Sequence, residues 1–391
     1  MARATFDDVV LFARTGLNPR KNFVLGNGTN KYITIKNIYD NKLIIDENTD
    51  LVNDEAIRLI HKRSKIKKGD ILFCSIGRLG DMYIIDEEPN GWDINESVFA
   101  FTLNENIIRQ KYFYYYFKSR RIINYLNKRS SGSTFKSIKM EQLKKMTFDL
   151  PTLEKQDYVI KVLDSIVKII NDDFISLHKL DGLSKARFDE MFGEKTDYPQ
   201  EQLGNNVQEM FIGPFGSALK NDCFVDPKDA YCIVYEQKHA IKKTMDVPTR
   251  YVNKEKYEEL KRFSIHPGDI IVSCRGTIGE VFVVPDNAPL GIMHPSIMKI
   301  RLNAGKYDQK FFIFALEKYM NEHNSEANGS SVKMAITASS LKQELFVIPP
   351  IDIQKQFSDY IVQINQAKDT IQKSIDKTQL LFNSLMQEYF G

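Results

Sequence analysis

The stretch KKGDILFCSIGRLGDMYIID, from Lys67 to Asp86, returns as HPGDIIVSCRGTIGEVFVVP, from His266 to Pro285. With Gly69 set over Gly268 the two run without a gap: Asp70 falls on Asp269, Gly77 on Gly276, Gly80 on Gly279 and Asp81 on Glu280. The offset of 199 residues holds through ESVFAFTLN (Glu96–Asn104) over PSIMKIRLN (Pro295–Asn303) and QKYFYYYF (Gln110–Phe117) over QKFFIFAL (Gln309–Leu316). GSTFKSI (Gly132–Ile138) matches GSSVKMA (Gly329–Ala335), and LPTLEKQ (Leu150–Gln156) matches IPPIDIQKQ (Ile348–Gln356) with a slip to 200. The endings FDEMFG and MQEYFG close at Gly193 and Gly391. A unit of about 200 residues is far too long for a solenoid repeat. The chain must therefore fold one domain, with its tail, twice. Residues 1–66 and 196–265 align poorly, so the copies are expected to share a scaffold and differ in their first thirds.

Each unit splits into a mixed part and a helical tail. DILFCSI and MYIID, like DIIVSC and VFVVP, read as strands broken by glycines. QKYFYYYFKSRRIINYL and QKFFIFALEKYMNEH read as short helices with an apolar face. The glycines at 77 and 80, and at 276 and 279, suit a tight turn where backbone approaches something closely. They are not the G-x-G-x-x-G of a dinucleotide site. In each tail, apolar residues recur at a spacing of three to four: Leu163, Ile166, Ile170, Leu177 and Leu180 in the first, and Ile361, Ile364, Ile371, Ile375, Phe382 and Leu385 in the second. Thr152 and Asp352 are the expected N-caps. A helix of about 37 residues is about 55 Å long. No second amphipathic helix follows within either unit, so each stripe needs a partner, and the other stripe is the obvious one, paired antiparallel. The alternative is packing of each helix on its own domain.

The expected fold class is thus mixed α+β: two similar globular domains joined by two long helices in an antiparallel coiled coil. The expected boundaries are 1–150 and 196–350 for the domains, and 151–195 and 351–391 for the helices. The opening residues carry early acids and a short apolar run, unlike a signal peptide, and no apolar run approaches the length needed to cross a bilayer. A cytoplasmic protein is expected. Cys74, Cys223, Cys232 and Cys274 form no C-x-x-C pair and read as inert buried thiols. The net charge of +3 is unevenly spread. Residues 1–150 hold 25 Lys/Arg against 18 Asp/Glu, whereas residues 196–350 hold 18 against 19. From Lys118 to Lys145 nine basic residues face one acid, interleaved with Ser, Gly, Tyr and Phe. That mixture suits a phosphate backbone, which needs cations and small hydroxyl and N–H donors.

This doubled layout resembles the specificity subunit of type I restriction–modification systems. The resemblance rests on GDILFCSIGRLGD, GDIIVSCRGTIGE, the LPTLEKQ and IPPIDIQKQ junctions, the FDEMFG and MQEYFG endings, and IGPFGSALK (Ile212–Lys220). It implies two target recognition domains, each reading one half of a split, asymmetric site in double-stranded DNA. It implies a coiled coil that sets the spacing between half-sites and docks two modification (methyltransferase) subunits, with restriction (translocase/nuclease) subunits completing the complex. S-adenosylmethionine, ATP and Mg are then expected on the partner subunits and none on this chain. The second domain departs from the pattern in not being net basic.

Candidate phosphate contacts are Arg129, Lys136 and Lys139, with Ser330 and Lys333 at the matching place in the second copy; Ser133, and Ser217 in IGPFGSALK, are further candidate DNA contacts. Candidate base-reading residues are Arg20, Lys31 and Arg78 in the first domain and Lys220, Lys238 and Arg275 in the second, since Arg and Lys reach guanine edges. Catalytic motifs are few. An amino-methyltransferase needs Asn or Asp before Pro-Pro-aromatic, but VIPPID puts Ile348 and Ile351 there. YEQKHA contains the E-x-K of metal-dependent nucleases at Glu236 and Lys238, without a Pro-Asp before it. The six histidines have no metal-ligand spacing, and His178 reads as a solvated helix residue. A non-catalytic DNA reader therefore leads. A coiled-coil scaffold whose ends bind protein, and an accessory chain with fused methyltransferase or nuclease chemistry, are the alternatives.

Overall fold

A computed structural model describes residues 2–130, 136–193, 197–275, 277–327 and 337–391. The chain divides into two units: residues 1–176 with 371–391, and residues 177–370.

In the first unit a four-stranded antiparallel sheet takes the order Val10–Thr15, Val98–Leu103, Ile71–Cys74, Met82–Ile84. The two central strands are covered on both faces, and their alternation shows it. Ile71, Phe73, Phe99 and Phe101 enter the core beneath the helices Gln110–Lys118 and Arg120–Arg129. Leu72, Cys74, Val98 and Ala100 enter a second core with Ile33, Ile38 and Ile94. That second core is roofed by a smaller sheet, Leu51–Val52, Asn30–Ile33, Trp92–Ile94, in which the last two strands are parallel. Ala2–Thr5 pairs with Thr147–Leu150 and brings the domain's two ends together.

The second unit repeats the plan. Its main sheet is ordered Val207–Ile212, Ile297–Leu302, Ile270–Ser273, Val281–Val283. Its smaller sheet contains Arg250–Val252, Cys232–Tyr235 and Gly291–Met293, again with the last two parallel. Gln200–Gln202 closes on Leu345–Val347. The first thirds therefore share a topology as well, contrary to the expectation from their poor alignment. Asn53 and Asn253 mark the match: each follows the edge strand and caps the next helix, accepting from Ala56 N at 2.8 Å and Lys256 N at 2.9 Å. What differs is the insert between the first parallel strand and the edge strand. The first unit has a small hairpin there, Ile38–Tyr39 with Lys42–Leu43, and the second has a helix, Gln237–Lys242.

The long helices run Leu153–Phe192 and Ile351–Phe390. Thr152 Oγ1 accepts from Lys155 N at 3.4 Å, as expected of a cap. The second helix begins directly after Pro350, so Asp352 lies inside the first turn rather than capping it; a carboxylate there still complements the helix dipole. Both modes of packing considered from the sequence occur. In the first unit, Val159 and Leu163 from early in the first helix share a core with Met386 and Phe390 from late in the second. In the second unit, Phe188 and Phe192 from late in the first helix pack with Phe357 and Ile361 from early in the second. Early against late in both units means that the helices run antiparallel. Each helix end is also seated on a domain: Tyr112 lies 5.2 Å from Phe390 between ring centres, and Phe192 lies 4.9 Å from Phe311. Of the expected stripe, Leu163, Ile166, Ile361, Ile364 and Ile375 are buried, while Ile170, Leu177, Leu180, Ile371, Phe382 and Leu385 are half-buried. Lys368, which interrupts the stripe, reaches Asp181 at 2.5 Å.

Candidate nucleic-acid interface

In each unit four segments converge at the C-terminal ends of the parallel strand pair. The first is the start of the loop that follows the first main-sheet strand. Gly16 N donates to Asn95 O at 3.2 Å, and Gly213 N to Ile297 O at 3.0 Å. A Cβ at these positions would lie 1.6 Å from Ile94 O or 2.3 Å from His294 O, so only glycine fits. The second is the repeated glycine turn, whose base is fixed by Ser75 N donating to Ser97 O and Cys274 N to Ser296 O, both at 2.9 Å. Gly80 and Gly279 there have φ of +90° and +89°, which a side chain would strain. The third is the end of the parallel strand itself, and the fourth is the insert that differs between the units. Ends of parallel strands are where open α/β sheets receive ligands.

The first unit adds its basic run to this place. Gly77 N donates to Lys136 O at 3.1 Å and Ile138 N to Ser75 O at 2.9 Å, so the segment after residue 135 lies along the turn. Arg78 is exposed, stacks over Tyr39 at 4.8 Å and donates to Ile38 O at 3.3 Å. Lys136 donates to Asn127 Oδ1 at 2.9 Å, and Arg129 stacks over Tyr125 at 4.3 Å. Gln142 ties the neighbourhood together, donating to Arg129 O at 2.6 Å and accepting from Lys139 N at 2.7 Å. Arg78, Arg129, Lys136 and Lys139, scattered over the sequence, thus belong to one surface region. Arg20 and Lys31 stand apart from it: Arg20 is exposed in the loop after Gly16, and Lys31 lies on the smaller sheet beside Trp92. Ser133, Ser330 and Lys333 lie outside the described residues.

In the second unit Ser217 and Lys220 are exposed in the loop after Gly213, and Arg275 is exposed in the glycine turn. Lys238 is not a free cation, because its Nζ stands 2.6 Å from Glu236 Oε2. Sequence reasoning missed the rest of this group. Arg250 hydrogen-bonds Glu236 Oε1 and stacks on Phe224 at 4.1 Å. Burial pushes the Glu236 carboxyl up, but the contacts from Lys238 and Arg250 outweigh it and hold it below the ordinary glutamate range. His294, at the end of the parallel strand, is held below the usual histidine range by burial and then by the charges of Arg250, Arg275 and Lys238. Phe215, 89% exposed, stands in the loop between Gly213 and Ser217.

Glu236 is thus neutralised by two cations, which is the wrong preparation for a metal. Among the described residues no three His, Cys, Asp or Glu side chains are grouped to hold one. Burial raises the Cys74 thiol to about 12 and those of Cys232 and Cys274 to about 11, so these three are inert. Cys223 departs from expectation, being half-buried in a turn. His178 is exposed, as expected.

Comparison with known proteins gives the same doubling. Residues 4–175 and 228–379 match the family model described as type I restriction modification DNA specificity domain. A putative type I restriction enzyme MjaX specificity subunit from Methanocaldococcus jannaschii is 25% identical over 329 residues, covering 79% of this chain and 76% of that protein. The type I restriction enzyme EcoBI specificity subunit of Escherichia coli is 27% identical over 123 residues, covering 32% of this chain and 24% of that protein. Among solved structures, a chain from a study of complex assembly and conformational transition of the type I R-M system superposes with a TM-score of 0.66 at 14% identity, covering 100% of this chain and 97% of that one. The type I restriction-modification system S subunit from M. genitalium superposes with a TM-score of 0.52 at 13% identity, covering 100% and 96%. Two domain copies, their paired helices and these matches agree, and the chain belongs to the type I restriction–modification DNA specificity family.

Proposed function

We propose that this chain is the DNA-reading subunit of a type I restriction–modification complex, with each domain contacting one half of a bipartite, asymmetric site. The observation that carries this reading is chemical difference on a common frame. Where the first unit ends its parallel strand in Thr34 and enters its edge strand from Asp50, the second has Glu236 and Arg250. A hairpin in one unit becomes a helix in the other at the same point. Cores that merely support one another would not need their surfaces to diverge at one address. Two readers of different sequences would, because base edges are distinguished by side-chain donors and acceptors.

The chain itself carries no catalysis in this reading. Modification subunits supply methylation, with S-adenosylmethionine as their donor, and restriction subunits use ATP and Mg. Exposed Ile169, Phe174 and Ile175 on the first long helix, with Leu380 and Leu381 on the second, give modification subunits an apolar surface to cover. No helix among the described residues is long and apolar enough to cross a membrane. The test is domain exchange. Residues 1–150 are replaced by the first domain of another family member, and methylation by the assembled complex is mapped. One half of the motif should change and the other persist. A change in both halves, or in neither, would refute the assignment of one reader to each half.

A further inference from the structure

Arg250 is held in a way that surface arginines are not. One face of its guanidinium lies on the Phe224 ring, 4.1 Å from the centroid. One Nη is hydrogen-bonded to the buried Glu236 carboxylate, which Lys238 also contacts. The rest of the fork makes no hydrogen bond among the described residues, and the side chain keeps 34% of its exposure. The backbone under it is equally fixed: Arg250 pairs with Val234 in the smaller sheet, next to the strand end where Glu236 begins its helix. A flexible lysine or arginine loses rotamer freedom when it binds, whereas a guanidinium already clamped by a ring and a carboxylate has lost it beforehand. The clamp fixes a planar donor and leaves part of its fork free to bond a ligand.

The net charge of the second unit makes this placement informative. With 18 Lys/Arg against 19 Asp/Glu over residues 196–350, attraction to phosphate is weak there. A domain that cannot rely on bulk charge needs directed contacts. The same address in the first unit carries Asp50, opposite in charge, and Thr34 stands where Glu236 does. An ion pair kept for stability alone would have been of use in both copies.

We propose that Arg250 reads a guanine in the half-site of the second domain, with Glu236 and Phe224 as the residues that position it. Arginine donating two hydrogen bonds to guanine O6 and N7 is the contact its free edge suits. This rests on the proposed role in DNA reading and names the residue and base by which the second domain performs it.

The experiment uses the chain assembled with its modification subunits, after the site has been mapped by methylation. Duplexes with each base pair of the second half-site replaced in turn compete for wild type, Arg250→Ala, Arg250→Lys and Glu236→Gln complexes. Arg250→Ala should lose discrimination at one G·C pair by about 5- to 150-fold, and Arg250→Lys should not restore it. Glu236→Gln should lose less, at the same pair. Lys238 remains beside Glu236 in the arginine variants, so the carboxylate is not left alone. Discrimination unchanged at every position overturns the proposal, and so does an equal loss at all positions. If the wild-type complex methylates no bipartite site, it is the reading of the chain as a DNA reader that fails, whatever Arg250 does.

Discussion

Gln156 and Gln354 make the same three hydrogen bonds in the two halves of the chain. Each carboxamide oxygen accepts a backbone N–H, from Arg109 at 2.9 Å and from Asp308 at 2.8 Å. Each carboxamide nitrogen donates to two carbonyls: Ile107 and Pro151 in the first unit, Lys306 and Pro349 in the second. Both side chains are fully buried. They fasten the first turn of a long helix to the start of the shorter helix beside it, and so seat each long helix on its domain. The pairing also corrects the alignment, because Gln156 answers to Gln354 and not to Gln356.

Replacing such a group leaves buried partners without bonds. Gln156→Leu strands one N–H and two carbonyls, at about 1–3 kcal/mol for each group left unsatisfied. Loss of about 3 kcal/mol in the stability of the first unit is expected from urea unfolding, and Gln354→Leu should do the same to the second. A loss below about 1 kcal/mol would mean that water takes the place of the side chain.

The buried carboxylates of the repeated phrase are conserved between copies, but their cations are not in the same place. Asp70 is paired with Arg14, from the strand beside Val98–Leu103, at 2.8 Å, and accepts from Thr102 Oγ1 at 2.5 Å. Asp269 is paired with Arg301, which occupies the place of Thr102, at 2.7 Å, while Phe211 stands where Arg14 does. Arg14→Phe should therefore cost about 3–5 kcal/mol, the usual loss on removing one partner of a buried pair. Adding Thr102→Arg rebuilds the arrangement of the second copy, and should recover most of the loss in a denaturant titration. No recovery would show that the two sites are less alike than their sheets.

These residues show what could be read in advance and what could not. Gly69, Asp70 and Gly80 recur at fixed offset because backbone geometry and a buried charge require them, and from them the doubling, the two mixed domains and the paired helices were legible. The migrated cation was not, because alignment looks for Arg14 at a position where the second copy has Phe211. The first thirds kept their topology through only a few shared letters, such as Val52-Asn53 and Val252-Asn253, too few to outweigh the inserts. Arg250 belongs to no motif in the sequence. Its meaning arises when the sheet carries it to Glu236, fourteen residues away in sequence. Phe188, Phe192 and Phe390 are illegible for another reason: they anchor the helix ends to the domains, whereas periodicity marks the seam between helices.

Acid should act on the second unit through histidine. His239 is fully buried, its Nδ1 accepts from Glu236 N at 3.0 Å, and its Nε2 has no hydrogen-bond partner among the described residues. Burial, with a smaller push from the Lys238 charge, holds it below the usual histidine range. The unfolded chain therefore binds more protons than the folded one once the pH drops below about 6.5. Stability of the second unit falls from there downward until the folded group itself titrates. His239→Asn keeps an acceptor for the cap and removes the titration. Thermal unfolding between pH 7 and pH 5 should show a shallower slope for this variant, with His294 leaving a residual one. An unchanged slope would rule His239 out as its source.

The basic surface of the first unit makes a separate prediction, about affinity and not specificity. Lys136 lies along the glycine turn, its carbonyl taken by Gly77 N, and the only hydrogen bond of its side chain among the described residues is the exposed one to Asn127. Such a lysine can turn to a phosphate without leaving a buried group unpaired, and phosphate contacts carry no base preference. Lys136→Gln should weaken binding of the cognate duplex and of a random duplex alike. It should also lower the slope of log K against log salt by about 0.9, the release of one phosphate's counterions. Fluorescence anisotropy across a salt series measures both. A slope that stays at the wild-type value would place Lys136 off the DNA, and a loss confined to the cognate duplex would make it a reader of bases instead.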